Sequence, residues 1–506
     1  MKKKIKSIIE IKNIILKKKK LKKKIVLSHG VFDLLHIGHI NHFKEAKSLG
    51  DILIVSITAS KFVKKLPGRP FFNDIERLNA LSSLEYIDYV ICNEDYTSIN
   101  LIKKLKPNIY CKGPDYINKK EDLSKNISSE INAIKSVKGK IKFTSGRTYS
   151  SSKLLNQNFS ELSKDKKDFI KEIKKSSSFN QIYQKVEGLK NQKILIIGES
   201  IIDEYIFCEG LGKSGKESVL SLRKKISEKY LGGVLSVALN CLSFSKNISI
   251  ATYLGDDKEL NTYIKKKLSS NIKLNYITKK NSPTILKQRY LDIVDSRKLI
   301  GIYNINDDNI SLNEEIKFVK LIKQEIMKHD LIIVLDYGHG LITDKTTKLI
   351  NKNSKFFSLN AQINSSNVGF HSLSKYKNID SLSINATELR HEMREREGDV
   401  VKLGIKLKKL LNVKNLTITQ GQSGAILINK NNKIFRAPAF ANKVLDKIGA
   451  GDTLLALLSM SLKSDFSENE ALFLSSIAAG ISTTKYANSQ SINKFEILNH
   501  IKYYLK

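Results

Sequence analysis

Apolar positions fall into two spacings along this chain. Short continuous runs, Ile25-Val26-Leu27, Ile52 to Ile57, Tyr89 to Cys92 and Ile109 to Lys112, have the length and β-branched content of strands covered on both faces. Between them, Ile40 to Leu49, Ile75 to Leu84 and Ile99 to Leu105 place apolar residues at helical spacing. Residues 24–155 therefore alternate strand and helix. That is the order of a doubly wound α/β domain, whose ligands bind at the carboxyl ends of strands. Residues 156–189 break the pattern: they are rich in Lys, Ser, Asn and Gln, carry Ser176-Ser177-Ser178, and predict a charged helical linker. A second α/β unit, residues 190–506, opens with Ile194-Leu195-Ile196-Ile197-Gly198 and contains a long apolar helix over Thr453 to Leu462. Residues 1–23 predict a basic amphipathic helix ahead of the first unit.

Composition supports two folded domains. The chain has 506 residues, too many for one typical core, and 41% are hydrophobic. The net charge of +37 suggests a polyanion partner, but only 10 of the 87 basic residues are Arg, the residue that reads phosphates and bases best. Lys is spread along the chain and Trp is absent, the usage an AT-rich coding sequence produces, so no specific nucleic-acid partner is expected. Cys92, Cys111, Cys208 and Cys241 form no CxxC pair, which argues against a zinc site or a disulfide framework and fits a reducing cytoplasm. The basic start lacks an uninterrupted apolar core, and no stretch reaches the ~20 apolar residues of a membrane span. A cytoplasmic location is the expectation.

The most informative stretch is Gly30-Val31-Phe32-Asp33-Leu34-Leu35-His36-Ile37-Gly38-His39, between a predicted strand and a predicted helix. Two histidines flanking a glycine at such a turn can donate hydrogen bonds to a nucleoside triphosphate as charge builds on its α-phosphate. The helix N-terminus beneath them adds oriented N–H groups and a partial positive charge. These residues resemble the HxGH signature of the nucleotidyltransferase superfamily, the cytidylyltransferase-like enzymes. The resemblance implies a Rossmann-like domain in which His36 and His39 are catalytic and Gly30, Phe32, Asp33 and Gly38 contact nucleotide.

A second motif, Asp446-Lys447-Ile448-Gly449-Ala450-Gly451-Asp452, precedes the long apolar helix. Gly449, Ala450 and Gly451 would put backbone N–H groups at a helix start, an anion hole for a transferring phosphoryl group. Asp452 stands where a carboxylate can take the proton of an attacking hydroxyl. This resembles the DTxGAGD signature of the ribokinase-like (PfkB) sugar kinases.

Further segments carry both resemblances. In the first unit, Gly68-Arg69-Pro70 with Glu76-Arg77, then Lys112-Gly113-Pro114-Asp115-Tyr116, are similar to the adenylyltransferase half of the bifunctional ADP-heptose synthesis family. Arg147-Thr148 followed by Ser150-Ser151-Ser152 is similar to the R-T…S-[ST]-[ST] element of cytidylyltransferases. This implies phosphate contacts from Arg77, Arg147, Ser150 and Ser151, with Lys44 a weaker candidate in so Lys-rich a chain. In the second unit, Asp203 of Gly198-Glu199-Ser200-Ile201-Ile202-Asp203 and the pair Gly232-Gly233 resemble the kinases' sugar contacts. Lys287 and Arg289 resemble their substrate-phosphate contacts, and Asp336-Tyr337-Gly338 matches a D-Y-x-x-G segment. Asn385 and Glu388 match the NxxE element that organises Mg2+. Thr419, Gly421 and Gly424 match the nucleotide-binding TxGxxG turn.

The implied chemistry is ATP-dependent phosphorylation of a sugar phosphate joined to nucleotidyl transfer from ATP or CTP, with Mg2+ as cofactor. The heptose family carries the same two domains in reverse order, and family resemblance also suggests a homodimer. Nothing in the HxGH turn separates ATP from CTP, so a cytidylyltransferase with a kinase for another sugar or polyol phosphate stays open. A second domain that binds sugar without turnover stays open as well. Three departures from the kinase pattern stand out: Lys447-Ile448 before the glycines, Ser236 where Asn is usual after Gly-Gly, and Asn360-Ala361-Gln362-Ile363-Asn364 in place of an Asp-Pro-Lys segment. Gly210-Leu211-Gly212-Lys213-Ser214-Gly215 satisfies G-x-G-x-x-G but precedes a strand-like run, so it predicts a loop near the sugar site.

Overall fold

In the computed structural model the apolar runs of the first half are parallel strands. They are β1 (Ile25–Gly30), β2 (Ile52–Thr58), β3 (Tyr89–Asn93), β4 (Ile109–Lys112) and β5 (Lys140–Phe143), in sheet order β3-β2-β1-β4-β5. The structure describes residues 4–63, 70–114, 126–145, 162–214, 217–364, 366–441 and 444–505. Arg147, Ser150 and Ser151 lie outside them. The chain divides into two units, residues 1–162 with 498–503 and residues 163–497 with 504–506.

Strand periodicity builds the first core. Ile25, Leu27, Ile52 and Ile54 face one layer, with Leu101 and Ile102 of the helix Ile99–Leu105. Val26, Leu53 and Val55 face the other, with Phe43 and Ala46 of the helix Ile37–Ser48 and Leu81 of the helix Asp74–Ser82. With both faces covered, the strands read as unbroken apolar runs. The N-terminal helix Ile8–Lys20 belongs to this core, because its Ile11 and Ile15 are buried in the first layer. Lys4 and Lys6 also pair through their backbones with Val90 of β3. Strand β5 and the helix Asn126–Ser136 were not anticipated.

The second unit holds two sheets. Its strands are β6 (Lys193–Gly198), β7 (Ser200–Lys213), β8 (Leu220–Gly233), β9 (Asn247–Leu254), β10 (Ile272–Thr278), β11 (Ile285–Asp292), β12 (Lys298–Asn304), β13 (Leu331–Asp336), β14 (Phe357–Ala361), β15 (Ile379–Asn385), β16 (Val413–Thr419), β17 (Ala425–Ile428) and β18 (Ile434–Ala437). The main sheet runs β10-β9-β6-β13-β14-β15-β16-β17-β18, parallel as far as β16 and antiparallel at its last two strands. A smaller sheet runs β12-β11-β7-β8. The stretch Gly210 to Lys213 lies within β7 rather than in a loop, because Gly210 and Gly212 continue the ladder with β8 across a register shift. The helices Lys164–Ser176 and Phe179–Gly188 belong to this unit. Phe169 packs on Phe440 and Phe473, and Ser177 Oγ and Lys185 Nζ both donate to the buried Glu470.

In each main sheet the strand order reverses once near its middle, between β1 and β4 and between β6 and β13. Those reversals open a crevice at the carboxyl ends of the two strands, where a doubly wound sheet binds its ligand.

Candidate active sites

In the first unit the β1–β4 crevice receives the histidine turn. His36 is the N-cap of the helix Ile37–Ser48, in extended backbone, and its Nδ1 accepts the Gly38 N–H at 3.1 Å. An Nδ1 that accepts leaves the neutral ring's proton on Nε2, so Nε2–H is the donor. Burial holds His36 below the ordinary histidine range, which favours that neutral form at pH 7. The His39 ring stacks on it at 3.9 Å between centroids. Phe32, with φ of 46°, wedges edge-on against His39 and Phe43 and sets the turn on the helix. Two stacked imidazoles above a helix N-terminus make a site for an anionic oxygen.

Around this turn the candidates divide. The Asp33 carboxylate accepts the N–H groups of Phe71 and Phe72 at 2.8 and 3.0 Å, so it clamps the loop that follows residues 64–69. Arg77 was expected on phosphate; instead it is buried. Its NH1 and NH2 groups donate to the carbonyls of Val31 and Thr58, the Ser60 hydroxyl and the Asp74 carboxylate. A guanidinium spent on backbone carbonyls at the ends of β1 and β2 fixes the crevice wall and does not reach into it. Gly30 closes β1 and Lys44 is exposed on the helix.

Sequence reasoning missed a polar set at the same ends. His42 bridges Ser28 Oγ and Thr144 Oγ1 at 2.8 and 3.0 Å. Burial, with the Lys112 charge, pushes it down to about 4. Lys112 itself, at the end of β4, pairs with Glu130 at 3.1 Å, both side chains nearly buried. The spacing His36-His39-His42 along one helix face was the available signal.

In the second unit the β6–β13 crevice gathers residues from five segments. Asp203 on β7 is ion-paired with Arg289 on the neighbouring β11, both largely buried. Gly232 is required beside them, since a Cβ there would meet Asp203 Oδ2 at 2.4 Å. Gly233 ends β8, and Lys287, one strand position pair from Arg289, lies 5.8 Å from the Tyr337 ring centre. Burial lowers the Lys287 ammonium below its ordinary range, with Asp203 opposing.

The helix Ala450–Leu462 points its N-terminus at this group. Gly449 caps it at φ of 84°, where a Cβ would strike Asn488 Oδ1. The first-turn N–H groups of Gly451 and Asp452 lie outside the helix's own ladder, and that of Ala450 makes a long 3.4 Å contact with the Lys447 carbonyl. Asp446 anchors the approach: it accepts from the Tyr205 hydroxyl, from Lys298 Nζ at 2.6 Å and from the backbone of Ile448 and Ala487. Asp452 accepts the Tyr337 hydroxyl at 3.2 Å on Oδ1 and the Ser236 hydroxyl at 3.3 Å on Oδ2. Burial pushes its carboxyl up to about 6, and these hydrogen bonds oppose the rise. A carboxylate poised near neutrality is what a general base needs. Beneath it, burial and the neighbouring Asp336 carboxylate push Glu199 up to about 7, and Glu199 accepts the N–H groups of Tyr337 and His339.

The nucleotide and metal candidates stand apart. Thr419 ends β16, and Gly421 and Gly424 bracket the turn into β17. Asn385 and Glu388 form a reciprocal capping box at 2.8 Å each way, opening the helix Ala386–Met393. Burial pushes Glu388 up to about 7, so a cation nearby would be needed to keep it fully ionised. Among the described residues no group of three or more His, Cys, Asp or Glu is placed to hold a metal. Glu388 offers one buried carboxylate at this helix start.

Residues 27–198 match the cytidylyltransferase-like family and residues 191–494 match the pfkB family of carbohydrate kinases. The chain belongs to the pfkB carbohydrate kinase family. Its first part is a cytidylyltransferase-like domain. Bifunctional protein HldE of Aliarcobacter butzleri is 43% identical over 138 residues, 27% of this chain and 29% of that protein. Bifunctional protein HldE of Nitratiruptor is 25% identical over 313 residues, 60% of this chain and 65% of that protein. Each match thus spans less than two thirds of the relative's length. A phosphofructokinase-2 mutant from Escherichia coli superposes with a TM-score of 0.52 at 13% identity, covering 62% of this chain and all of that one, which shows the shared fold. No helix among the described residues is long and apolar enough to cross a membrane.

Proposed function

We propose that the chain is a bifunctional heptose 7-phosphate kinase and heptose 1-phosphate adenylyltransferase that makes a nucleotide-activated heptose for surface glycan. The observation that carries the kinase half is the placement of Asp452 at the helix N-terminus beside the Asp203–Arg289 pair. The reading is supported by relatives named Bifunctional protein HldE, matched over 27% and 60% of this chain.

In the second unit, Asp203 and Arg289 would hold and orient the sugar phosphate while Asp452 takes the proton of the anomeric hydroxyl. First-turn N–H groups of Ala450, Gly451 and Asp452 would stabilise the transferring phosphoryl group. In the first unit, a heptose 1-phosphate oxygen would attack the α-phosphate in line. His36 Nε2–H and His39 would donate to the charge that develops as pyrophosphate leaves. Mg2+, when bound with the nucleotide, supplies charge neutralisation on the phosphates, and Glu388 with Asn385 would be its protein contact in the kinase half. The site is expected to work in the cytoplasm.

The test incubates the full chain with Mg2+ and ATP or CTP, with heptose 7-phosphate and separately with heptose 1-phosphate, and follows products by mass spectrometry. Heptose bisphosphate in the first and ADP-heptose in the second are the expected products. Turnover with CTP alone in the second would make it a cytidylyltransferase. Absence of bisphosphate would mark the second unit as a sugar binder.

A further inference from the structure

Asp452 is held by residues from two other segments, and neither was expected to serve it. The Tyr337 hydroxyl and the Ser236 hydroxyl each donate to a different carboxylate oxygen. Tyr337 follows β13, and its ring is buried. It is pinned on several sides: its N–H donates to Glu199 Oε2 at 3.1 Å, and its carbonyl accepts the Asn364 and Asn367 amides at 2.9 Å each. Ser236 lies in the helix Val234–Leu242, and Asn240 of that helix donates to Thr453 Oγ1 at 3.1 Å, next to Asp452. Of the three departures from the kinase pattern, Ser236 donates to this carboxylate and Asn364 holds the backbone of Tyr337, which donates to it.

We propose that Tyr337 and Ser236 are positioning residues for the general base, a two-point cradle that fixes the Asp452 carboxylate in one orientation, with Asn364 and Asn367 holding Tyr337 in place. The proposal rests on the kinase reading above. An untethered carboxylate rotates about its terminal bond and spends part of its time turned from the hydroxyl. Two donors on separate elements remove that freedom. Among the described residues, the charges that act most on Asp452 are Asp203 from β7, which raises it, and Lys287 from β11, which lowers it. Ser236 is the weaker arm. Its single O–H also lies 3.0 Å from the Gly233 carbonyl, so one proton is shared between two acceptors.

The experiment measures ADP release from ATP and heptose 7-phosphate by the full chain across pH, for wild type, Tyr337→Phe, Ser236→Ala and Asp452→Asn. Nucleotidyl transfer by the same preparations reports that the chain is intact. Tyr337→Phe is expected to lower kcat about 10-fold, with both KM values within about 2-fold. Its acid limb is expected to move to higher pH, because a donor that favours the ionised carboxylate is gone. Ser236→Ala is expected to move both quantities the same way by less. Turnover in wild type with kcat and acid limb unchanged in both variants overturns the cradle and leaves the kinase reading intact. No ADP release in wild type overturns the kinase reading and the cradle with it.

Discussion

On the proposed reading, the two crevices handle charge on a phosphorus centre with different materials. The β1–β4 site is local: His36, Gly38 and His39 lie within one turn, and the donors are a neutral imidazole and a helix N-terminus. The β6–β13 site is collected from five segments and is built of buried charge: Asp203 against Arg289, Lys287 above Tyr337, Asp452 at the end of a helix. On that reading the difference follows the proton. A sugar phosphate oxygen that attacks an α-phosphate is already ionised, so its site needs donors and no base. A sugar hydroxyl that attacks a γ-phosphate must lose a proton, so its site needs a carboxylate raised toward neutrality. Raising a carboxylate takes burial, and burial of one charge calls for others to balance it.

The sharpest way to break this comparison is Asp452→Asn. Sugar phosphorylation should fall by about 10²–10⁴-fold with nucleotidyl transfer unchanged, both read from one preparation. Loss of both activities, or of neither, would end the division of labour. The mirror experiment is His36→Ala or His39→Ala, where nucleotidyl transfer should fall about 10²–10³-fold while phosphorylation holds.

Next in size is stability. Arg289→Leu leaves Asp203 buried without its partner, and denaturant unfolding should show a loss of about 3–5 kcal/mol. If the pair were exposed in solution, the loss would be under about 1 kcal/mol. The pH profile sharpens the contrast further. Phosphorylation kcat/KM should fall as pH drops through about 6, where Asp452 binds a proton and ceases to be a base. The acid limb of nucleotidyl transfer should lie below the pH at which an ordinary histidine titrates, since burial holds His36 below its usual range. The smallest effect belongs to Lys44→Ala: the side chain is exposed, and the triphosphate KM should change by no more than a factor of about 2.

Legibility in the sequence followed the same line. The histidine turn could be read whole, because strand, turn and helix start are contiguous and each has a local signal. The strands Ile109–Lys112 and the helix Ile99–Leu105 fall where periodicity put them. The resemblance implies a phosphate contact for Arg77, whereas its burial makes it a clip between strand ends; nothing local separates those roles. The Asn385–Glu388 pair is legible twice over, since N-x-x-E is both the family's metal element and a capping box, and the structure shows the cap. The basic amphipathic helix predicted ahead of the first unit packs into that unit's core through Ile11 and Ile15, a contact its own sequence does not reveal.

By itself the sequence determined that two α/β units follow one another and where the histidine turn and the Gly-Ala-Gly-Asp helix start fall along the chain. Those properties rest on periodicity and on short turns, which are set by neighbours in the chain. Only the tertiary structure decided which side chains meet. Ser236 and Asp452 stand 216 residues apart, and Tyr337 and Asp452 stand 115 apart. Their contact is fixed by sheet order and by the packing of buried helices, long-range terms that leave no mark on the residues either side of them.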